Sequence, residues 1–270
     1  MRDFPDISGL CVALDEAGVL RLTLDRPPLN LLTQELRRAL GTCFGGVAQR
    51  PGIRAVVLTG SADTFCAGAD MAEFSQRFER AVARAHGANG HRMMRNLVRY
   101  PVPVIAAIEG PCLGGGFELA LACDWIVAGR GARLGLPEIK RGIFPGTAGI
   151  PLLARRLGDR AARMMIITGT MVEAAEARDR GMIDELVQQG DALQTATALA
   201  ETIASSPVQA VRAINRLGDQ DFFDRFDRHL TAEIDAFEDI FQTVDAREGC
   251  AAFFDKRFPR WERPTNGSEQ

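Results

Sequence analysis

Two short apolar runs, each stopped by a glycine turn, constrain this chain more than any other feature. Residues 55–59 (Ala-Val-Val-Leu-Thr) and 102–108 (Val-Pro-Val-Ile-Ala-Ala-Ile) lack polar alternation, the pattern of strands buried on both faces. Such strands need helices on either side. Helical patterns flank them: one after Thr33, with Leu36, Leu40 and Phe44, running to about Val47; a polar, His- and Arg-bearing region over 71–98; and one over 115–123. Residues 125–128 read as a third short strand. Strand, glycine turn and helix in repetition predict right-handed crossovers around a parallel sheet, an α/β fold. Ahead of them, residues 10–25 alternate on both sides of Glu16-Ala17-Gly18 as a hairpin, ended by Arg26-Pro27-Pro28.

From about 151 the strand signals thin out, and 152–157, 161–168, 172–180, 192–205, 207–217 and 222–242 all favour helices. Phe222, Phe223, Phe226, Phe237 and Phe241 exceed what a lone surface helix needs, so this tail is expected to pack on the core or on another subunit. The division expected is a core over 1–198, a C-terminal helical oligomerisation region over 199–262 and a flexible tail over 263–270. No stretch approaches eighteen or so consecutive apolar residues. Met1-Arg2-Asp3-Phe4-Pro5-Asp6 lacks the basic and apolar regions of a signal peptide, which predicts a cytoplasmic protein. The net charge of -3 is spread over interspersed residues of both signs, giving no basic field for nucleic acid. Cysteines 11, 43, 66, 112, 123 and 250 show no CxxC spacing and no nearby histidine, so neither a disulfide nor a metal site is expected.

The chemistry concentrates at two turns after buried strands: Phe65-Cys66-Ala67-Gly68-Ala69-Asp70 and Gly110-Pro111-Cys112-Leu113-Gly114-Gly115-Gly116-Phe117-Glu118. Open α/β sheets bind ligands at such strand ends. Three glycines entering a helix permit close backbone approach and leave N–H groups at the positive end of its dipole. With a second N–H from Ala69, two donors aimed at one point would stabilise the oxyanion of a thioester enolate, each worth about 3–4 kcal/mol of barrier. No Gly-x-x-x-x-Gly-Lys-Ser/Thr loop is present, and Gly114-Gly115-Gly116 is not a dinucleotide fingerprint. Glu118 follows the glycines directly. Glu138 lies in Leu136-Pro137-Glu138-Ile139, after Leu134-Gly135 has brought the chain back in extended form. Two carboxylates across a short gap in a partly apolar pocket raise each other's proton affinity and permit acid/base transfer near neutral pH.

Among other residues, His86, His91 and His229 read as surface side chains, Cys66 as small-residue packing, Trp125 and Trp261 as packing residues, and Asp70 as the cap of the following helix.

These motifs together resemble the enoyl-CoA hydratase/isomerase family, the crotonase superfamily. The match covers Arg26-Pro27-Pro28-Leu29-Asn30, Phe65 to Asp70, Pro103 to Asp124 with Gly-Gly-Gly-Phe-Glu118, Leu136-Pro137-Glu138 with Gly142-Ile143-Phe144-Pro145-Gly146, and Glu248-Gly249 to Lys256-Arg257. The resemblance implies a ClpP/crotonase-like spiral of ββα units with a C-terminal helical trimerisation module, assembled as a homotrimer or dimer of trimers. It implies that Ala69 and Gly115 donate their N–H groups to the thioester oxygen, and that Glu118 and Glu138 hold water and move protons. It places Ala67, Gly68, Asp70 and Gly114 around the acyl-CoA, and Arg26, Pro28 and Leu29 by the CoA nucleotide. Phe253 and Lys256 of a neighbouring subunit would flank the adenine and phosphates. Coenzyme A arrives as part of the substrate, so no cofactor is implied.

Retention of both glutamates points to an enoyl-CoA hydratase; the alternatives are an enoyl-CoA isomerase, in which Glu138 alone shuttles a proton, and a non-catalytic binding protein on the same fold. Two positions depart from the family pattern. Ala72 stands where many relatives carry a lysine near the CoA phosphates. Thr147, in a turn bulkier than the usual Gly-Gly one, is expected to narrow or polarise the acyl pocket.

Overall fold

A computed structural model of the chain describes residues 9–46, 52–218 and 220–261. The expected flexible tail, 263–270, and the N-terminal segment 1–6 lie outside the described residues.

The hairpin forms as read: β1 (Leu10–Leu14) pairs antiparallel with β2 (Val19–Leu24). Asn30 then reaches back, donating to the Thr64 carbonyl at 2.7 Å, and leads into α1 (Gln34–Gly46), which buries Leu36, Leu40 and Phe44. β3 (Ala55–Gly60) lies parallel to β2. The helical region over 71–98 divides in two. Residues Met71–Phe78 wind as a 3-10 helix, Glu79 is extended, and α2 (Arg80–Val98) follows. In a 3-10 turn residues three apart eclipse one another, and here that puts Phe74 and Arg77 together on the buried side.

β4 (Val104–Ile108), β5 (Pro111–Leu113), α3 (Gly115–Leu121), β6 (Trp125–Gly129) and β7 (Arg133–Gly135) complete the first half. Beyond them come α4 (Gly149–Leu157), α5 (Asp159–Thr168), β8 (Met171–Glu173), α6 (Ala174–Asp179), β9 (Glu185–Val187), α7 (Ala192–Ala204), α8 (Val208–Gly218), α9 (Gln220–Ile240) and α10 (Val244–Phe254). The larger sheet runs β1-β2-β3-β4-β6-β9 and is parallel except for β1; the smaller runs β5-β7-β8. The segment 172–180 is therefore not helical throughout. Its first residues pair with β7, and β9 lies among segments that read as helical. Strands of three residues at a sheet's edge take their structure from the partner, so they leave no period in the sequence.

β3 and β4 are covered on both faces. Val56, Leu58, Val104 and Ala106 join the main core, while Val57, Ile105 and Ala107 meet Ala192, Ala196, Ala200 and Ala204 of α7. Alanine at every fourth position lets α7 lie close against the sheet. α7 runs unbroken through the boundary expected between 198 and 199. Phe222 and Phe226 enter the main core, and Phe237 and Phe241 form a second cluster with Phe74, so α9 packs on its own chain. Trp125 and Trp261 are 42% and 41% exposed and correct the reading of them as packing residues; Trp125 opens β6, and Trp261 lies seven residues past the end of α10. Among the described residues no helix is long and apolar enough to cross a membrane.

Candidate active site

The two glycine turns are locked to each other through the backbone. Cys66 N–H donates to the Pro111 carbonyl and Leu113 N–H to the Cys66 carbonyl, both at 3.0 Å, and a Cβ on Gly116 would run into the Cys66 carbonyl oxygen. Only glycine fits there. The bridge between Leu32 and Ala69 uses the N–H groups of Leu32 and Asp70, so the Ala69 N–H faces away from it. Gly115 begins α3, and its N–H has no acceptor within the helix. A Cβ on Gly115 would lie 3.7 Å from Ala69 N, which puts the two donors side by side. They form one wall of a cleft of about 590 Å³ that also contains Glu118, Glu138, Leu29, Ala67, Gly68, Asp70, Gly114 and Phe253.

Glu118 is buried, and its Oε1 accepts from Thr147 N–H at 2.8 Å and Gly149 N–H at 3.0 Å. Burial, reinforced by the nearby Glu233 charge, pushes its pKa up to about 7. Glu138 opens the 3-10 turn Glu138–Arg141. The residue is half-buried, but its Oε2 is enclosed and has no partner among the described residues. Burial, then the Glu118 charge, holds its carboxyl well above the usual range. Glu138 thus holds its proton more tightly than an ordinary carboxyl, while Glu118 exchanges protons near neutral pH. Gly114 makes this proximity possible: its φ is +51°, and a Cβ on it would lie 2.9 Å from Glu138 Oε1.

Asp70 caps the 3-10 helix, its Oδ1 accepting from Ala72 N–H at 3.0 Å. Cys66 is packed, its thiol pushed up to about 11 by burial. Arg26 and Pro28 do not line the cleft; Arg26 N–H is engaged by Asn30 Oδ1 at 2.9 Å. Lys256 sits in an adjoining depression with Lys140 and Arg141. Phe253 lines this chain's own cleft, where α10 carries it. Close backbone approach causes this, since a Cβ on Gly249 would strike the Arg141 carbonyl, and the Arg141 guanidinium lies 4.6 Å over the Phe253 ring.

The histidines are also corrected. His91 is buried, with Nε2 2.8 Å from Glu233 Oε1. His86 lines the cleft, accepts from Arg77 Nε at 3.2 Å, and is driven down to about 4 by burial and the Arg77 charge. His229, half-buried, lies 2.9 Å from Glu233 Oε2. Polar neighbours along α2 concealed which of its faces meets α9. Sequence reasoning missed Arg37, Arg77 and Glu233. For Arg37 a signal existed: it shares the face of Leu40 and Phe44, where a charge is out of place. Thr147 does polarise the pocket, because its Oγ1 accepts from Arg37 Nη1 at 3.0 Å.

A family model described as Enoyl-CoA hydratase/isomerase matches residues 15–264. A Bacillus subtilis (strain 168) protein named "Probable enoyl-CoA hydratase" is 32% identical over 257 residues, 95% of this chain and 99% of its own length. The crotonyl-CoA hydratase of Syntrophomonas wolfei subsp. wolfei (strain DSM 2245B / Goettingen) is 35% identical over 238 residues, 87% of this chain and 91% of its own. The crystal structure of an enoyl-CoA hydratase from Mycobacterium avium subsp. paratuberculosis K-10 superposes with a TM-score of 0.86 at 25% identity, covering 96% of this chain and all of the other.

Proposed function

This chain belongs to the enoyl-CoA hydratase/isomerase family and is an enzyme of the crotonase type, and on that premise we propose that it adds water, reversibly and syn, to a trans-2-enoyl-CoA to give a 3-hydroxyacyl-CoA. The observation that carries this reading is the meeting of both carboxyls, Glu118 and Glu138, with the Ala69 and Gly115 N–H groups in one cleft. An isomerase needs only one of the two carboxyls.

In the proposed reaction the thioester oxygen lies against the two N–H groups. Water held between the glutamates attacks the β-carbon and gives its proton to Glu118, whose pKa near neutrality suits a base. The π electrons move onto the thioester oxygen, where the two donors stabilise the enolate. Glu138, its proton affinity raised by burial and by the Glu118 charge, delivers a proton to the α-carbon. One water enters and no other atom is exchanged, so the steps call on no metal or redox group.

The assembly proposed is a homotrimer or a pair of trimers, with the exposed Ile214 and Leu217 of α8 and Met164 and Ile167 of α5 as apolar faces for it. Arg26 and Lys256, outside the cleft, are proposed for the CoA nucleotide and phosphates. The test is incubation with trans-2-enoyl-CoA thioesters, following loss of the conjugated absorbance and the product mass. Gain of one water is expected; a product of unchanged mass with a displaced double bond would assign the isomerase instead.

A further inference from the structure

Two buried arginines line the acyl cleft, and the proposed hydration uses neither. Arg37 on α1 and Arg77 in the 3-10 helix are 4% and 3% exposed. Arg37 donates from Nη1 to Thr147, but its Nε has no acceptor among the described residues. Its guanidinium lies beside the oxyanion donors, since the Cβ position of Gly115, 3.7 Å from Ala69 N, is 3.2 Å from Arg37 Nη2. Gly90 leaves room for it; a Cβ there would lie 3.0 Å from Thr147 Cγ2 and 3.2 Å from Arg37 Nη1.

Arg77 lies 4.2 Å over the Phe74 ring and within 6 Å of the Phe237 and Phe241 rings. Its ion-pair partner is Glu73, at a long 3.9 Å, and that carboxylate already accepts the Gln34 N–H at 2.9 Å. Burial first, then the Arg37 charge, lower the Arg77 pKa to about 9, the mark of two like charges enclosed together. The countercharge is thin, because burial raises the proton affinity of both nearby glutamates, Glu138 and Glu118. Enclosed guanidinium donors are costly unless acceptors meet them. A ligand that brings an anion would supply those acceptors.

We infer that the acyl group taken by this site carries its own carboxylate a few carbons from the thioester, received by Arg37 with Arg77 as the second cation. The inference rests on the thioester reading of the site. A purely structural Arg37, holding Thr147 and the turn beneath Glu118, would affect all acyl groups alike, so the preference between substrates separates the two roles.

The experiment compares kcat/KM for trans-glutaconyl-CoA with that for 5-methylhex-2-enoyl-CoA, in which an isopropyl group replaces the carboxylate. The wild-type enzyme is expected to favour the carboxylate by about 10- to 100-fold, the strength of one or two charge-assisted hydrogen bonds. Arg37→Gln and Arg77→Met are each expected to cut that ratio about tenfold. An equal or reversed wild-type preference overturns the inference, as does a preference that survives both substitutions, and the wild-type ratio stands without any variant. Failure to hydrate either thioester would instead remove the hydratase reading. The inference is then decided by calorimetric binding of glutaryl-CoA against 5-methylhexanoyl-CoA to the wild-type protein, where tighter binding of glutaryl-CoA sustains it and equal binding overturns it.

Discussion

Glu118 and Glu233 grip one turn from its two sides. Thr147 and Gly149 N–H groups point to Glu118 Oε1, and the Ala148 N–H between them points to Glu233 Oε1 at 2.9 Å. Ala148 adopts the left-handed φ of +68° that this alternation demands. A carboxylate from the C-terminal helix α9 thereby braces the loop that orients a carboxyl from the glycine turn, with His91 and His229 fixing Glu233 from behind.

That brace ties the acidity of Glu118 to Glu233. Glu233→Gln keeps an acceptor for Ala148 but removes the charge that helps to raise Glu118 to about 7. The Glu118 pKa should then fall, moving the acid limb of the kcat/KM profile to lower pH, because the base stays ionised further down. Glu233→Leu strands the Ala148 N–H and the His91 ring, at a cost of about 1–3 kcal/mol for each group left unpaired. A pH–rate profile and a denaturant melt check the two; an unmoved acid limb would break the link between Glu233 and catalysis.

The two glutamates should divide their labour. Glu138→Gln is expected to lower turnover about 10²- to 10⁴-fold, the usual worth of a positioned acid/base group. Glu118→Gln is expected to lose hydration by a comparable factor yet retain exchange of the α-proton, which needs only Glu138 and the two N–H donors. Deuterium incorporation into a saturated acyl-CoA reads this out, and full hydration by either variant would refute this division of roles.

Legibility from the sequence followed the physics of each element. β3 and β4 could be read because both faces are buried and the apolar run is uninterrupted, and the hairpin because one face is not. β5, β8 and β9, three residues each, could not, since their pairing depends on distant partners. The convergence of Glu118 and Glu138 is legible in the glycines before Glu118 and the extended return at Leu134-Gly135, and what produces it is the β5–β7 pairing, which sets Leu113 opposite Gly135 and carries Glu138 back beside Gly114. Arg37 meets Thr147 across 110 residues and His91 meets Glu233 across 142. Contacts that long leave no local trace of the partner: the apolar face that Arg37 shares marks a misplaced charge without naming Thr147, and His91 reads as ordinary helix surface.

Glu118 also makes stability depend on pH. Its folded pKa of about 7 lies above the ordinary 4.5, so its contribution is fully present below 4.5 and is lost as pH rises through 7. The span is worth on the order of 3 kcal/mol. Glu118→Gln, which cannot ionise, should gain on the wild type between pH 5 and pH 8 by about that amount. Parallel urea titrations at the two pH values measure it; equal differences would mean that Glu118 titrates normally.

Gly116 offers the sharpest test of how the oxyanion donors are placed. It lies in the first turn of α3, where alanine is the best helix former, and helix propensity alone would predict Gly116→Ala to stabilise the chain by about 1 kcal/mol. The backbone contact predicts the reverse. The new methyl would meet the Cys66 carbonyl and crowd the Cys66 Cβ and Sγ at 2.7 and 2.8 Å, and the backbone carbonyl cannot swing aside as a side chain would. The turns must move apart, which costs about 1–3 kcal/mol as overpacking and separates the Ala69 and Gly115 N–H groups. Because each donor is worth about 3–4 kcal/mol of barrier, kcat should fall by roughly 10²-fold or more while thermal stability drops only modestly. A variant with higher Tm and unchanged kcat would show that the two turns are not held together at this contact.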